Sequence, residues 1–353
     1  AYLMAGLYEH HNRTAFEIIA FDNGGNDESP MRARLQKAFA KFIDIHALSD
    51  DAAAATVRAE KIDILVNLNG YFGKPRMGVF ARRPAPVQVS YLGFPGTLGA
   101  PYIDYIIADT VVIPPGEDRF YTESVVRLPG SYQVNDNKRA IAGNTSRAAH
   151  GLPDDAFVFC NFNQGYKLTP AIFDVWARIL GAVPGSVLWL LDSHEGFRES
   201  LRCQAEARGI ARERLIFAPA IDLAQHLARL KLADLFLDSL PYNAHTTASD
   251  ALWAGVPLLT CRGTTFAGRV AASLLSAAGV PELIAETLPD YEKQAVMLAT
   301  DGGALNALRG KIAAGRDTCA LFDTARTTAL IEAAYRGMWE RRGQAPSGFT
   351  VGE

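Results

Sequence analysis

FVFCNFNQGYKLTPAIFDVWARILGAVPGSVLWLL, residues 157–191, decides the architecture. Its two apolar runs, 157–162 and 186–191, are too short for buried helices and carry the aromatic and β-branched residues of strands. Between them, 170–180 places its apolar residues at helical spacing. Strand, helix, strand in that order is the signature of a parallel α/β sheet. Working outward, the same alternation continues toward the carboxyl end. Strand-like runs fall at 215–217, 235–237 and 258–261, and helical patterns at 198–207, 223–230, 247–253 and 267–278. Five consecutive strand–helix units predict a doubly wound, Rossmann-like sheet.

Toward the amino end the pattern is looser. Residues 16–21 (FEIIAF), 62–66 (IDILV), 87–92 (VQVSYL) and 105–108 read as strands, with helices at 31–40 and 51–60. The polar, Gly-rich 22–30 reads as a surface loop. Residues 135–153 lose periodicity and read as a linker, and 291–339 as helical throughout. The expected organisation is an N-terminal Rossmann-like lobe over 1–137, a second over 151–320, and a C-terminal helix and tail over 321–353. Two such lobes imply a cleft at the carboxyl ends of their sheets, where open α/β sheets bind ligands. Ala1 already lies inside an amphipathic pattern with no initiator Met and no capping residue ahead of it, so the chain reads as a fragment.

Composition narrows the classes. The chain has 353 residues, 49% hydrophobic, with 35 Lys+Arg against 38 Asp+Glu and a formal charge of −3. That balance argues against a nucleic-acid partner, which needs a strongly basic face. There is no run of about 18 apolar residues to cross a membrane. Cys160, Cys203, Cys261 and Cys319 form no C-x-x-C pair, so neither an ordinary zinc site nor a disulfide scaffold is indicated, and buried free thiols are expected. G-x-G-x-x-G and Walker A motifs are absent, which disfavours NAD enzymes and P-loop ATPases.

Three loops carry candidate chemistry. In LFLDSLPYNAHTTASDALWAGVP (235–257), a strand ends at Asp238 and a helix opens at Thr246-Thr247. Free backbone N–H groups and hydroxyls at a helix start suit a phosphate. Asp250, one turn further, suits a ribose diol; ordinary helix capping is the competing reading. In FCNFNQGYK (159–167), Gln164 supplies an amide and Lys167 a charge suited to a diphosphate leaving group, against the reading of a solvated surface lysine. In GFPGTLG (93–99), three glycines permit close backbone approach to a ligand, or simply a tight turn. No D-x-D pair of the metal–nucleotide type occurs, and the histidines lack metal-ligand spacing.

Together with ILVNLNGY (64–71), FARRPAPVQVSYLGFPGTLGAPYIDYIIAD (80–109), PGSVLWLL (184–191) and GRVAASLL (268–275), these segments resemble the catalytic region of the O-linked N-acetylglucosamine transferase and SPINDLY family. The likeness runs nearly end to end. It implies a GT-B fold, two Rossmann-like lobes facing a nucleotide-sugar cleft. It also implies an inverting, metal-independent transfer of N-acetylglucosamine from UDP-N-acetylglucosamine to Ser or Thr hydroxyls of proteins, with no cofactor. Other members imply alternatives: a GDP-fucose donor, a nonulosonate moved onto flagellin, or a non-catalytic nucleotide-sugar-binding module.

The resemblance also implies roles. Gln164 and Lys167 match diphosphate contacts, with Lys167 stabilising the leaving UDP. Thr246 and Thr247 match the phosphate-binding pair, and Asp250 the ribose acid. His226 matches an imidazole that stacks on uracil, with Arg229 beside it. Tyr242 and His245 match positions near the sugar, and Leu92-Gly93 the backbone pair reaching its hydroxyls. Asp63 stands where animal members carry a His, which makes it an acid–base candidate, and Leu223 where they carry a ribose-holding Lys. A D-F-x-x-H segment of the family would lie just before Ala1. Tetratricopeptide repeats are expected upstream, in a cytoplasmic protein of bacterial composition.

Overall fold

A computed structural model describes residues 1–352. The chain forms two compact units, one of Ala1–Lys138 with Ala320–Glu353 and one of Arg139–Cys319.

In the first unit, β3 (Ile64–Asn67), β4 (Val87–Ser90), β5 (Tyr105–Asp109) and β6 (Ser124–Leu128) pair in sequence order, all parallel. A short terminal strand, Phe349–Thr350, adds beyond β6. Strands β4 and β5 are buried along their whole length, as expected of a parallel sheet covered on both faces. Two earlier strands, β1 (Ile19–Asp22) and β2 (Lys41–Asp44), pair among the described residues only with each other. Between β1 and β3 lies a cavity of about 660 Å³, lined by both strands together with Phe39, Phe80 and Tyr335. Ser29 and Ser49 cap the helices Pro30–Ala38 and Asp50–Ala59, accepting hydrogen bonds from the N–H groups of Arg32 and Ala52. Ala53, Ala54 and Val57 then pack on Leu65, Val79 and Phe80 to form the core on that side.

The second unit holds β7 (Val158–Asn161), β8 (Val187–Leu191), β9 (Leu215–Ala218), β10 (Leu235–Leu237), β11 (Leu258–Cys261) and β12 (Ile284–Ala285). Their spatial order is β12-β11-β10-β7-β8-β9, with every pairing parallel. This is the Rossmann order, reversing between β7 and β10. Thr169 caps the helix Pro170–Ala182 ahead of a proline at its first position. That helix buries Trp176, whose indole donates to the Tyr291 hydroxyl at 3.1 Å; Tyr291 in turn donates to the Asp238 carbonyl at 3.0 Å.

Several sequence expectations are corrected. The 16–21 strand begins only at Ile19, because residues 12–16 close a turn with Phe16 N–H on the Asn12 carbonyl. Residues 291–339 are not one continuous helical run. Asp301 and Asp323 each accept an N–H three residues on and start new helices, Gly302–Gly315 and Thr324–Glu340. Residues 321–353 are no separate tail. Thr324 donates to the Asn135 carbonyl at 2.7 Å and Glu332 bonds His11 at 3.1 Å, which ties this segment into the first unit. The polar 135–153 stretch is not a free linker either: Asn135 and Asp136 are buried, and Asp136 pairs with Arg34. Among the cysteines, Cys160 and Cys261 are buried but Cys203 is exposed. Among the described residues no helix is long and apolar enough to cross a membrane.

Candidate functional site

Strands β7 and β10 are neighbours, but the chain leaves them toward opposite halves of the sheet, so their carboxyl ends open a crevice. Two loops line it. Asn161 at the end of β7 donates to the Leu237 carbonyl of β10 at 2.7 Å and accepts the Asn163 N–H at 3.0 Å. Asn163 then bridges to the second loop, donating to Ser239 Oγ at 2.9 Å and accepting from Thr247 Oγ1 at 2.5 Å. Asp238 at the end of β10 accepts from Ser239 N–H, Ala244 N–H and Thr260 Oγ1 at 2.6–2.7 Å. The second loop is therefore folded around one carboxylate and the first is sewn to it by two asparagines.

Within this frame Lys167 is buried, with its Nζ donating to the Asn243 carbonyl at 2.7 Å and standing 4.1 Å from the centroid of the Tyr242 ring. Burial draws its pKa down from the ordinary lysine value, and the charge of Asp238 opposes that. Asp238 is itself pushed upward by desolvation against its three hydrogen bonds. The Tyr242 ring stacks on His245 at 4.9 Å. Desolvation, with Lys167 nearby, lowers His245 to about 3, so its imidazole is neutral, and Nε2 faces the Ala267 carbonyl at 3.2 Å. A cation held by an aromatic face and a single carbonyl keeps donor capacity for an anion.

The helix Thr246–Trp253 starts here, and no side chain caps it. Among the described residues the N–H groups of Thr246 and Thr247 meet no backbone acceptor. Thr246 is exposed and Thr247 half-buried. The capping reading of these threonines is thus corrected: Thr247 turns its hydroxyl to Asn163 and the helix start stays open to an anion.

Asp250, one turn on, is 5% exposed and bonded at 2.6 Å by Arg139 Nη1. Desolvation raises Asp250 to about 6, opposed by Arg139. His226 sits on the helix Leu223–Leu230 and makes a T-shaped contact with Phe162, the residue after β7, at 5.0 Å between ring centroids. Arg229 donates to His226 Nδ1 at 3.0 Å and to the Pro219 carbonyl at 2.6 Å. Burial, and then Arg229, lower His226 to about 4. A neutral imidazole beside Phe162 suits an aromatic base. Gln164 is exposed, at the start of the short turn that carries Lys167.

In the first unit, Leu92 has a φ of +67° and the Gly93 N–H bonds the Tyr91 carbonyl, a tight turn after β4. A Cβ on Gly93 would lie 2.0 Å from the Leu68 carbonyl oxygen, so only glycine fits. Asp63 lies elsewhere. It is exposed and directly precedes β3, which runs parallel to β4, so it sits at the amino end of the sheet while Leu92-Gly93 follows the carboxyl end. Its expected acid–base role is corrected by that strand length of separation.

Sequence reasoning missed Asn161, Asn163, Asp238 and Arg139. The asparagines alternate inside a motif that was singled out, and that alternation was the available signal. Arg139 lies 111 residues from Asp250 and gave none.

Comparison with known proteins matches a glycosyl transferase family 41 model to residues 1–144 and 141–331. The probable UDP-N-acetylglucosamine–peptide N-acetylglucosaminyltransferase SEC of Arabidopsis thaliana is 41% identical over 99% of this chain, and the SPINDLY relative of Solanum lycopersicum is 32% identical over 98%. This chain spans 37% and 38% of those relatives' lengths. A mutant O-GlcNAc transferase from Thermobaculum terrenum superposes with a TM-score of 0.90 and 35% identity over 97% of this chain and 65% of its own. The fold is accordingly of the GT-B class.

Proposed function

Because the chain belongs to glycosyl transferase family 41, we propose that it transfers N-acetylglucosamine from UDP-N-acetylglucosamine to Ser or Thr hydroxyls of proteins, with inversion and without a metal. One observation carries this reading. Lys167, the neutral His245–Tyr242 stack, the uncapped start of Thr246–Trp253 and Asp250 converge at the carboxyl ends of β7 and β10.

In this reading the diphosphate lies on the Thr246 and Thr247 N–H groups, with Lys167 beside it and Gln164 at the rim. Asp250 takes the ribose hydroxyls, and His226 with Arg229 takes the uracil. The acceptor oxygen attacks the anomeric carbon from the face opposite UDP, so one displacement inverts the centre. Negative charge grows on the leaving diphosphate, where a desolvated ammonium and an open helix start act most strongly. In this proposal Lys167 and the uncapped start of Thr246–Trp253 supply the charge stabilisation that a metal would otherwise give. Polypeptide selection belongs, in this proposal, to tetratricopeptide repeats of a longer cytoplasmic protein.

Lys167→Ala tests it. Transfer from UDP-N-acetylglucosamine to a Ser/Thr peptide should fall by about 10²–10³, as for other charge-stabilising donors. More than half of wild-type activity would refute the role of Lys167, and undiminished wild-type rate in EDTA is expected.

A further inference from the structure

Asp250 would be a poor ribose acceptor if nothing kept it charged, since it is almost wholly enclosed in the second unit. The side chain that touches its Oδ1 is Arg139, the first residue of that unit. The Arg139 side chain is 2% exposed, so its guanidinium has no reach to a phosphate of its own. It is fixed from two further directions. The guanidinium lies 5.2 Å from the Trp253 ring centroid, and the Trp253 indole donates to the Arg139 carbonyl at 3.2 Å. Trp253 ends the helix that carries Asp250, so the clamp and the carboxylate ride on one element.

We infer that Arg139 is a positioning residue of the nucleotide site, bonding one oxygen of Asp250 so that this carboxylate stays ionised and oriented to accept the ribose diol. The inference rests on the reading of Asp250 as the ribose-binding acid. Oδ1 is held by Arg139, and Oδ2 carries no hydrogen bond from a described residue, which leaves acceptor sites for two hydroxyls. A carboxylate accepts from two hydroxyls; a protonated carboxyl has fewer lone pairs and competes as a donor.

The electrostatics agree with the geometry. Burial alone would drive Asp250 to its neutral form, and Arg139 opposes this by charge and hydrogen bond, leaving it at about 6. Around the helix, Arg316 lies over the Trp253 ring and Lys167 acts on His245 and Asp238, so Arg139 is the charged group acting on Asp250 itself. Losing it raises the Asp250 pKa further. UDP affinity would then require a higher pH.

Calorimetric titration of the chain with UDP from pH 5.5 to 8.5 tests this in wild type, Arg139→Met and Arg139→Lys. Arg139→Gln replaces the Met variant if that does not fold. In wild type, affinity should fall on acidification through about pH 6. In Arg139→Met, that midpoint should rise by at least about one unit, with affinity reduced at least about twofold at pH 7 and recovering toward pH 8.5 relative to wild type at the same pH. Arg139→Lys should restore most of the wild-type profile. Titration of the nucleotide's own phosphate is common to all variants and cancels in the comparison. An unchanged midpoint in Arg139→Met, or a loss equal at every pH, would overturn the inference, because a purely structural role moves affinity without moving the midpoint. The control ligand is 2′,3′-dideoxy-UDP. If wild type binds it as tightly as UDP, Asp250 does not read the diol and the ribose assignment fails. If wild type discriminates and the midpoint does not move, the Arg139 inference alone fails.

Discussion

Lys167 concentrates the residue-scale argument. Its ammonium is desolvated, lies on the Tyr242 ring and spends one hydrogen bond on Asn243. Burial has lowered its pKa, so the free protein loses this charge at a lower pH than an ordinary lysine would. In the proposed site the protonated form is the one that holds the diphosphate, so affinity for UDP should fall as pH rises through that lowered value. A titration of UDP affinity from pH 7 to 10 should show the fall in wild type and none in Lys167→Met. Gly93 is the second sensitive position. Gly93→Ala must displace the Leu68 carbonyl, with which its Cβ would overlap, so a drop in transfer of at least about tenfold is expected alongside lower stability. Lys167, Thr247 and Asp250 stood out as candidates because strand ends and helix starts have recognisable chemistry, and the family resemblance set them above the readings of plain capping and a solvated lysine. Asn163 and Arg139 were not. A short polar side chain and a surface-type cation look solvated until their distant partners, 84 and 111 residues on, are brought beside them.

At the scale of elements, the start of Thr246–Trp253 matters more than its length. Eight residues with no side-chain cap leave the helix dipole for a ligand. Thr247→Val removes the hydroxyl that joins this start to Asn163, and UDP affinity should fall about tenfold while uridine affinity changes little. Equal losses for both ligands, measured by calorimetry, would place the effect outside the phosphate subsite. Five of the six strands of the second unit could be read directly because their apolar runs are unbroken between helical patterns; β12, only two residues long, could not. In the first unit, β2 and β6 escaped. Strand β2 is four residues with a charge at each end, on a two-stranded ribbon. In β6 the run is broken by Arg127, which is buried against the Ile113 carbonyl and Asp118 at 3.0 and 2.8 Å. The long helical tail was legible as helix but not as three helices, since Asp301 and Asp323 read as ordinary surface acids until their caps are seen.

At the scale of the molecule, the chain closes its first unit with its last segment. Glu332 accepts from buried His11 at 3.1 Å and from the N–H of exposed Asn12 at 2.7 Å, and burial lowers His11. Glu332→Ala strands two donors and should destabilise the first unit by about 1–3 kcal/mol. Urea melts followed in each unit should show that loss there, with UDP affinity of the second unit within about twofold of wild type. The return of 320–353 was not legible, because a helix pattern does not say which neighbour it joins.

The central claim is a uridine-nucleotide site built at the β7–β10 reversal. Calorimetric titration of this chain with UDP, paired with GDP, tests it most directly. The account predicts UDP binding at least about tenfold tighter than GDP, which is about 1.4 kcal/mol. GDP preference would contradict the UDP-sugar donor, and no binding of either by the folded chain would contradict the site itself.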